Sequence, residues 1–404
     1  MSDSAPISIR HSLRRTLFLW FLGLALLPLS IVSWLDHHQA IDALHTETIQ
    51  KLTTAVELKS RAMEAFFSER TKDLQTQTLS RNNLRFFNTL QTTWQVGKLP
   101  PETFVRSYAW AELVEREGGD IKEFLTTYQY KNLLYMEPGG VVLFAAQPDP
   151  MLGTNLLTSP EKNSRAREVV RNALARKKAV FSDLEPGEED TVKGYLAQPM
   201  LAENGIATGV LLLQINLDPL LELLENRGGL GETGETFLVG EDLLMRSNSR
   251  FQKGSSILKS RVDTRITRHW QQENKIARGE RAGAIHHVIR VIPNTFPDYR
   301  GVEVLGIYAD LEFLHPLDTE WVLIAKLDAS EFHAPAIRLR NHSLIAVLLT
   351  GLLVLLAALG VARHMITPLQ NLTRWAMKIQ AGELTLETIR APENEVGALV
   401  TAFG

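Results

Sequence analysis

The glycine-rich segment at residues 228–240 invites a chemical interpretation, because glycine-rich loops can cradle phosphate groups. A Walker A loop needs a lysine directly after its last glycine, so that the ammonium group meets the β- and γ-phosphates. Gly234 is followed instead by Glu235, which carries the opposite charge. We therefore expect a connecting turn whose glycines adopt positive φ angles, and we do not expect a nucleotide site.

Histidines and possible nucleophiles do not combine into a metal site or a catalytic site. His286 and His287 are adjacent, and neighbouring residues of a strand point to opposite faces, so the two cannot easily bind one metal ion. The chain has no cysteine, which excludes disulfides, thiolate nucleophiles and cysteine-ligated zinc. No Gly-x-Ser-x-Gly nucleophile motif occurs. The sequence thus predicts no metal, no cofactor and no catalytic module; an extracytoplasmic hydrolase is a minor alternative.

Two apolar runs without a charged residue, at residues 16–35 and 343–362, frame most of the chain. Each has about 20 residues, the length with which an α-helix crosses roughly 30 Å of hydrocarbon. They predict two transmembrane helices, although the first run could instead be a cleaved signal peptide. Three arginines precede the first run, whereas residues 36–50 contain no lysine or arginine. The positive-inside rule therefore places residues 1–15 in the cytoplasm.

A second crossing returns residues 363–404 to the cytoplasm and leaves residues 36–342 outside the plasma membrane, in the periplasm if the cell is Gram-negative. About 300 residues can bury two domain cores of ordinary size. The formal net charge of −3 gives no reason to expect a nucleic-acid partner.

The outer part of the chain begins with a long helical pattern and continues with two similar blocks. Residues 36–98 carry apolar residues at steps of three or four, which predicts one long helix. Residues 99–226 and 227–335 each contain strands, glycine turns and a polar helical stretch in the same order. Short strands that are joined by turns and flanked by helices predict an antiparallel sheet covered on one face. The predicted fold class is α+β, with two tandem modules carried on one long helix.

Residues 229–240, with the sequence Gly-Leu-Gly-Glu-Thr-Gly-Glu-Thr-Phe-Leu-Val-Gly, and Met245-Arg246-Ser247 resemble the hinge into the second module of a group of bacterial sensors. Residues 181–186, 298–301 and 321–323 look like further pieces of the same group. The region thus resembles the double Cache sensor domains of bacterial receptors. The resemblance covers nearly all of residues 36–342 and implies two PAS-like sheets.

By this resemblance, a small-molecule ligand binds on the sheet of the membrane-distal module, residues 99–226. Amino-acid-binding members of the group carry an Arg-x-Trp-Tyr element, which residues 106–110 match only loosely. A weaker second pocket would involve Arg246, Tyr299 and Tyr308. The alternative is that the aromatic residues belong to the core and that Arg106 lies on a helix surface. The ligand-binding candidates are Arg106, Tyr128, Tyr130, Tyr135, Asp183 and Tyr195.

Residues 363–404 resemble a HAMP linker, in which two short helices are joined by a connector and pair across a dimer in a parallel four-helix bundle. A generic amphipathic helix beside the membrane is the alternative. The resemblance implies a homodimer in the lipid bilayer, and an incomplete linker followed by an output module. The residues that match the linker's core and its boundaries are Pro368, Leu369, Leu372, Ile379, Gly382, Leu384, Glu395, Val396, Leu399 and Phe403.

Taken together, these features predict the sensory half of a two-pass receptor of the inner membrane. A ligand outside the cell would act through the second transmembrane helix and the linker on a cytoplasmic output module. A histidine kinase of a two-component system is the first choice for that module. A methyl-accepting chemotaxis receptor and a cyclic-nucleotide enzyme are the alternatives.

Overall fold

A computed structural model of the protein describes residues 13–158, 164–280 and 289–361, together with the helical positions 373, 377 and 380. It divides into two compact units. One unit comprises Met1–Thr46 with His333–Gly404, and the other comprises Glu47–Phe332. The second unit contains both predicted sheet modules.

Long helices occupy the region for which a single helix was predicted at residues 36–98. Helix α1 spans Leu13–Leu79 and helix α2 spans Arg81–Gly97. The break falls at Ser80, whose backbone is extended and whose hydroxyl accepts a hydrogen bond from the amide of Asn83. The single-helix prediction is therefore corrected to two helices, because a serine N-cap starts a new helix at this point.

In the described residues of the first module, three further helices precede the sheet and one connects two of its strands. Helices α3, α4 and α5 precede the first strand, and α6 connects the second strand to the third. The bounds are α3 Pro101–Phe104, α4 Tyr108–Glu117, α5 Gly119–Tyr128, β1 Asn132–Met136, β2 Val142–Ala145, α6 Arg165–Arg176, β3 Val180–Pro186, β4 Val192–Leu201 and β5 Ala207–Gln214.

The first sheet has the strand order β2-β1-β5-β4-β3, and all its neighbours are antiparallel. Both of its faces are covered, which corrects the prediction of one covered face. Leu133 and Tyr135 of β1 lie in the core cluster that contains residues of α1 and α2, whereas Leu134 and Met136 lie in the cluster under α6. A strand that is apolar at every position has two buried faces, because its side chains alternate.

The second module follows helix α7 and, like the first, contains an antiparallel sheet and a helix that connects two of its strands. Its sheet has the order β6-β10-β9-β7, and β8 pairs with β9. The bounds are α7 Asp218–Glu225, β6 Glu235–Gly240, α8 Arg265–Glu280, β7 Ile289–Val291, β8 Phe296–Pro297, β9 Glu303–Asp310, a 3₁₀-helix at Glu312–Leu317, and β10 Trp321–Asp328. The antiparallel α+β architecture predicted from the sequence is confirmed for these residues.

One core cluster joins α1 to the inner faces of both sheets. It contains Leu52, Val56 and Phe67 of α1, together with Leu211 of the first sheet and Leu323 of the second. These side chains are buried, so the helix contributes to the core of each module. Because both sheets pack on the same helix, α1 sets the distance between the two modules.

Helix α9, Ala329–Val361, starts at the residue after β10 and contains almost all of the second apolar run. Among the described residues it is the one helix found long and apolar enough to cross a membrane. Its most apolar stretch is not buried by the rest of the chain. The first apolar run lies within α1, where Leu24 and Leu27 are exposed. A membrane span at residues 16–35 stays a prediction.

Candidate functional site

The six predicted ligand-binding residues lie at separate places in the first module. Arg106 is exposed in the turn between α3 and α4. Tyr128 is the last residue of α5, and 54% of it is exposed. Its ring stacks at 6.4 Å on the ring of Tyr130, which is buried. Only Asp183 of the six lines the polar cleft described below.

Tyr130 and Tyr135 are held by the long helices. The hydroxyl of Tyr130 donates to Asp73 of α1 at 2.6 Å. The ring of Tyr135 stacks on Phe87 of α2, with centroids 4.1 Å apart, and its hydroxyl donates to Gln91 at 3.2 Å. Burial raises the pKa of both phenols, so both stay neutral hydrogen-bond donors. Each tyrosine has a structural partner within the core.

Tyr195 lies on the opposite face of the sheet, in the cluster under α6. Burial and the nearby carboxylate of Glu185, with which it forms a hydrogen bond, raise the pKa of its hydroxyl. The structure thus separates Tyr195 from Tyr135, although both are buried residues of one sheet. The binding role of the six residues stays a prediction, and their packing favours the alternative in which the buried tyrosines are core residues.

Asp183 belongs to an ion pair that joins the two modules, and we call this pair the module staple. Its carboxylate accepts two hydrogen bonds from the guanidinium of Arg246, both at 2.8 Å. It accepts a third from the indole N–H of Trp321 in β10, also at 2.8 Å. The side chain of Arg246 is only 2% exposed. A bidentate pair of this kind fixes both the distance and the orientation of the groups it connects.

The surroundings of Arg246 explain two further features of the sequence. Its guanidinium also pairs with Asp242 at 2.9 Å and donates to the carbonyl of Leu244. A Cβ atom at Gly240 would collide with this guanidinium, so the position admits only glycine without rearrangement. Burial would raise the pKa of Asp242, but the hydrogen bonds and charge of Arg246 hold it below its ordinary value. Asp242 is therefore ionised at neutral pH.

A polar cleft of about 420 Å³ lies beside the module staple, and both modules contribute to its walls. Six carboxylates and two guanidinium groups line it, so the formal charge of its lining is negative. The charged lining residues are Arg165, Glu168, Asp183, Glu241, Asp242, Arg246, Asp318 and Glu320.

A buried charge network fills the centre of the second module. The ammonium of Lys326 in β10 pairs with Asp298 and, at 3.1 Å, with Glu235. Arg300 donates to Asp298 at 2.7 Å, and the hydroxyl of Tyr299 donates to Glu235 at 2.7 Å. Burial would raise the pKa of Asp298, but Lys326 and Arg300 hold it below its ordinary value of 3.8. Tyr299, which was predicted to line a second pocket, is thus hydrogen-bonded within this charge network.

Tyr308, the other tyrosine predicted for that pocket, lies beneath α8. Its hydroxyl donates to Glu273 at 2.6 Å and is 2.7 Å from Nδ1 of His269. Burial and the carboxylate of Glu273 raise the pKa of this phenol. Within the described parts of the chain, no group of three His, Asp or Glu residues is placed to hold a metal ion.

The glycine-rich segment is a turn, as the sequence predicts. Gly228, Gly229 and Gly231 have φ angles of 33°, 82° and 75°. A Cβ atom at Gly234 would overlap the carbonyl of Leu230, so this glycine is needed for space. The segment connects α7 to β6 and carries no lysine suited to phosphate.

The residues predicted for the HAMP linker lie outside the described residues, and their assignment stays a prediction. They are Pro368, Leu369, Leu372, Ile379, Gly382, Leu384, Glu395, Val396, Leu399 and Phe403.

Comparison with known proteins gives similarity in structure only. No family model and no curated protein matches the chain. The ligand-binding domain of the Pseudomonas fluorescens chemoreceptor CtaA, in complex with L-isoleucine, is 14% identical with a TM-score of 0.41. The alignment covers 72% of this chain and 97% of that one.

A second similar structure is the ligand-binding domain of the Campylobacter jejuni chemoreceptor Tlp3 with 4-methylisoleucine. It is 12% identical, with a TM-score of 0.42, and the alignment covers 72% of this chain and 94% of that one. A third, named methyl-accepting chemotaxis protein X, is 13% identical with a TM-score of 0.43, over 71% of this chain and 99% of that one. Two of these neighbours are thus ligand-binding domains of chemoreceptors, and the third is named as a methyl-accepting chemotaxis protein.

We predict that replacing Asp183 with asparagine destabilises the fold by roughly 3 kcal/mol, because it leaves the buried Arg246 without its bidentate partner. The measurement is urea denaturation of the whole chain in detergent. Asp190→Asn is the matched control, since it removes an exposed pair with Lys259 that is worth at most about 1 kcal/mol. An Asp183→Asn variant as stable as the control would contradict the staple.

We also predict that the charge network of the second module makes stability acid-sensitive. Because the pKa of Asp298 is lower in the folded state, its contribution is present above the ordinary value of 3.8 and is lost as pH falls through the folded pKa. Asp298→Asn should therefore flatten the decline in the free energy of unfolding between about pH 5 and pH 3.

The measurement is urea denaturation across that pH range. Asp218→Asn, at an exposed carboxylate, serves as the control and should leave the decline unchanged. An equally steep decline in the Asp298→Asn variant would show that this carboxylate does not carry the effect.

Proposed function

We propose that the chain is the extracytoplasmic sensing part of a transmembrane receptor, together with the helix that carries its signal inward. The observation that carries this proposal is the direct junction between β10, which pairs with strands on both sides, and the apolar helix α9. No connecting residue separates Asp328 from Ala329. Movement of the sheet would therefore displace the first turn of the helix without loss in a flexible linker.

The cleft beside the module staple is the proposed ligand site. A volume of about 420 Å³ lies within the range of small-molecule pockets, and its walls come from both modules. A ligand that contacts both walls would favour one relative arrangement of the modules over another. Because carboxylates outnumber guanidinium groups in its lining, we propose a ligand that carries an amino or other cationic group.

The remaining parts of the receptor are proposed on the sequence pattern. Residues 16–35 and 343–362 would form two spans of the inner membrane, with both termini in the cytoplasm and residues 36–342 outside. Residues 363–404 would form a HAMP linker that pairs two copies in a homodimer. A methyl-accepting chemotaxis output fits these features at least as well as a histidine kinase.

The ligand proposal is tested with three compounds of equal chain length and different charge: 1,4-diaminobutane, 4-aminobutanoate and succinate. Thermal unfolding of the whole chain in detergent should shift upwards with the diamine and not with succinate. A ligand at 100 times its Kd adds about 2.7 kcal/mol to the stability of the folded state. The standard amino acids and choline complete the panel.

Variants then locate the bound cation. Glu320→Gln removes a carboxylate of the cleft and should weaken the shift, whereas Glu303→Gln, on an exposed strand position, should not. A panel without any shift, or a shift that both variants leave equal to wild type, would refute the cleft as the ligand site.

The membrane arrangement is tested with single cysteines, because the chain contains none. Asn204→Cys, at an exposed turn, should react with a membrane-impermeant maleimide on intact cells. Leu372→Cys should be unreactive in intact cells and should form an intermolecular disulfide upon oxidation faster than Thr373→Cys. Labelling of position 372 from outside would contradict the two-pass topology, and equal disulfide rates at 372 and 373 would contradict the paired linker.

A further inference from the structure

The segment between the two modules, residues 226–234, binds a carboxylate from helix α9; we call it the hinge segment. The amides of Glu232 and Thr233 donate to the carboxylate of Glu331 at 2.9 and 2.7 Å. The hydroxyl of Thr233 donates to the same carboxylate. Glu331 lies in the first turn of α9. The hinge segment is thus attached to the start of the apolar helix.

The backbone of the hinge segment is shaped for this carboxylate. Gly231 has a φ angle of 75°, which a residue with a side chain adopts only with strain. A Cβ atom at this position would also collide with the carboxylate of Glu331. Burial would raise the pKa of Glu331, but the hydrogen bonds from Thr233 and Glu232 hold it below its ordinary value. Glu331 is therefore ionised at neutral pH, as a carboxylate among N–H donors should be.

A lysine of α1 holds the other end of the same connection. The ammonium of Lys59 donates to the carbonyls of Leu224 and Asn226, at 3.0 and 2.6 Å, and to the hydroxyl of Thr236 at 2.6 Å. Leu224 lies in the last turn of α7, where unpaired carbonyls carry partial negative charge. Lys59 is buried, and the three oxygens that accept its hydrogen bonds are neutral.

We propose that Lys59 and Glu331 form a two-sided clamp on the connection between the modules, through which the first module acts on α9 without passing through the second sheet. The last strand of the first module, β5, leads into α7. Helix α7 leads into the hinge segment, and the hinge segment holds the first turn of α9 through Glu331. The clamp goes beyond the proposed function, because it concerns how α9 is held whether or not a ligand is bound.

The clamp gives α9 a second attachment. Its first attachment is the covalent link to β10, which ends at the residue before the helix. The second is the carboxylate of Glu331, which is held by three donors of the hinge segment. In addition, the amide of Asp328 donates to the hydroxyl of Thr233 at 3.2 Å. Two attachments that are separated in space restrict rotation, whereas one does not.

Hydrogen exchange tests the contact on the whole chain in detergent. In Glu331→Gln, the amides of Glu232 and Thr233 lose a charged acceptor, so their exchange should accelerate about ten-fold or more. Glu331→Asp keeps the charge and should retain part of the protection. Glu303→Gln is the matched control, because the same substitution at an exposed strand position should leave both amides unchanged.

Spin labels test the attachment of α9. Val291 of β7 and Ile337 of α9 are exposed, and the chain has no native cysteine, so Val291→Cys and Ile337→Cys can each carry a spin label. The distribution of distances between the two labels should broaden in Glu331→Gln and in Lys59→Met, and stay as in wild type in Glu303→Gln. Two variants from different helices keep the test informative if one of them fails to fold.

Two results would overturn the clamp. One is exchange of the Glu232 and Thr233 amides in Glu331→Gln that stays within about two-fold of the wild type, because the carboxylate would then not be their acceptor. The other is an unchanged distance distribution in every folded clamp variant, because α9 would then be held by β10 alone. Neither measurement uses a ligand, so a failure of the clamp and a failure of the ligand site are distinguishable.

Discussion

The burial of one stripe of helix α1 against the inner faces of both sheets is the constraint on which the rest of Glu47–Phe332 depends. Leu52 and Val56 pack in the same cluster as the second sheet's Leu323, and Phe67 contacts the rings of Phe181 and Trp321 from different modules. Side chains of this size contribute roughly 1.5–3 kcal/mol each when buried. A sheet that is removed from α1 would expose its inner face to water, so each module needs the helix for its own stability, and their spacing follows from it.

Charged contacts define the geometry that apolar packing leaves open. The module staple of Asp183 and Arg246 joins the two modules. Lys59 of α1 and Glu331 of α9 bind the connection between the modules. Burying a charge is costly unless its partners are correctly placed, so the contacts of the buried Arg246 and Lys59 penalise arrangements in which the partners separate. Apolar side chains tolerate small displacements, whereas a bidentate ion pair does not. The polar contacts thus restrict the modules and helices to few arrangements.

The sequence predicted the periodic and repeated features well and the individual side-chain contacts poorly. The steps of three and four from Leu52 to Phe66 identified the buried stripe of α1, and the glycines at 229 and 231 identified a turn with positive φ. The roles of the tyrosines could not be predicted, because a tyrosine in a core and a tyrosine in a pocket can have the same neighbours in sequence. Tyr135, for example, stacks on Phe87, which lies 48 positions earlier. Lys59 did leave a signal, since it occupies a position of the apolar stripe between Val56 and Met63, but its acceptors lie some 165 residues away.

The continuity of β10 with α9 limits which movements can pass from the sheet into the helix. The pairing of β10 with β6 and β9 fixes its register residue by residue. A slip of one residue would exchange the inward and outward faces of the strand and turn the following helix by about 100° about its axis. Such a step would move Leu323 from the cluster against α1 to the cluster under α8, and it would separate Lys326 from Asp298 and Glu235. The register of β10 therefore excludes slips of a whole residue. The movements left for α9 are tilting and sliding of about 1–2 Å, the scale of helix shifts in switching proteins.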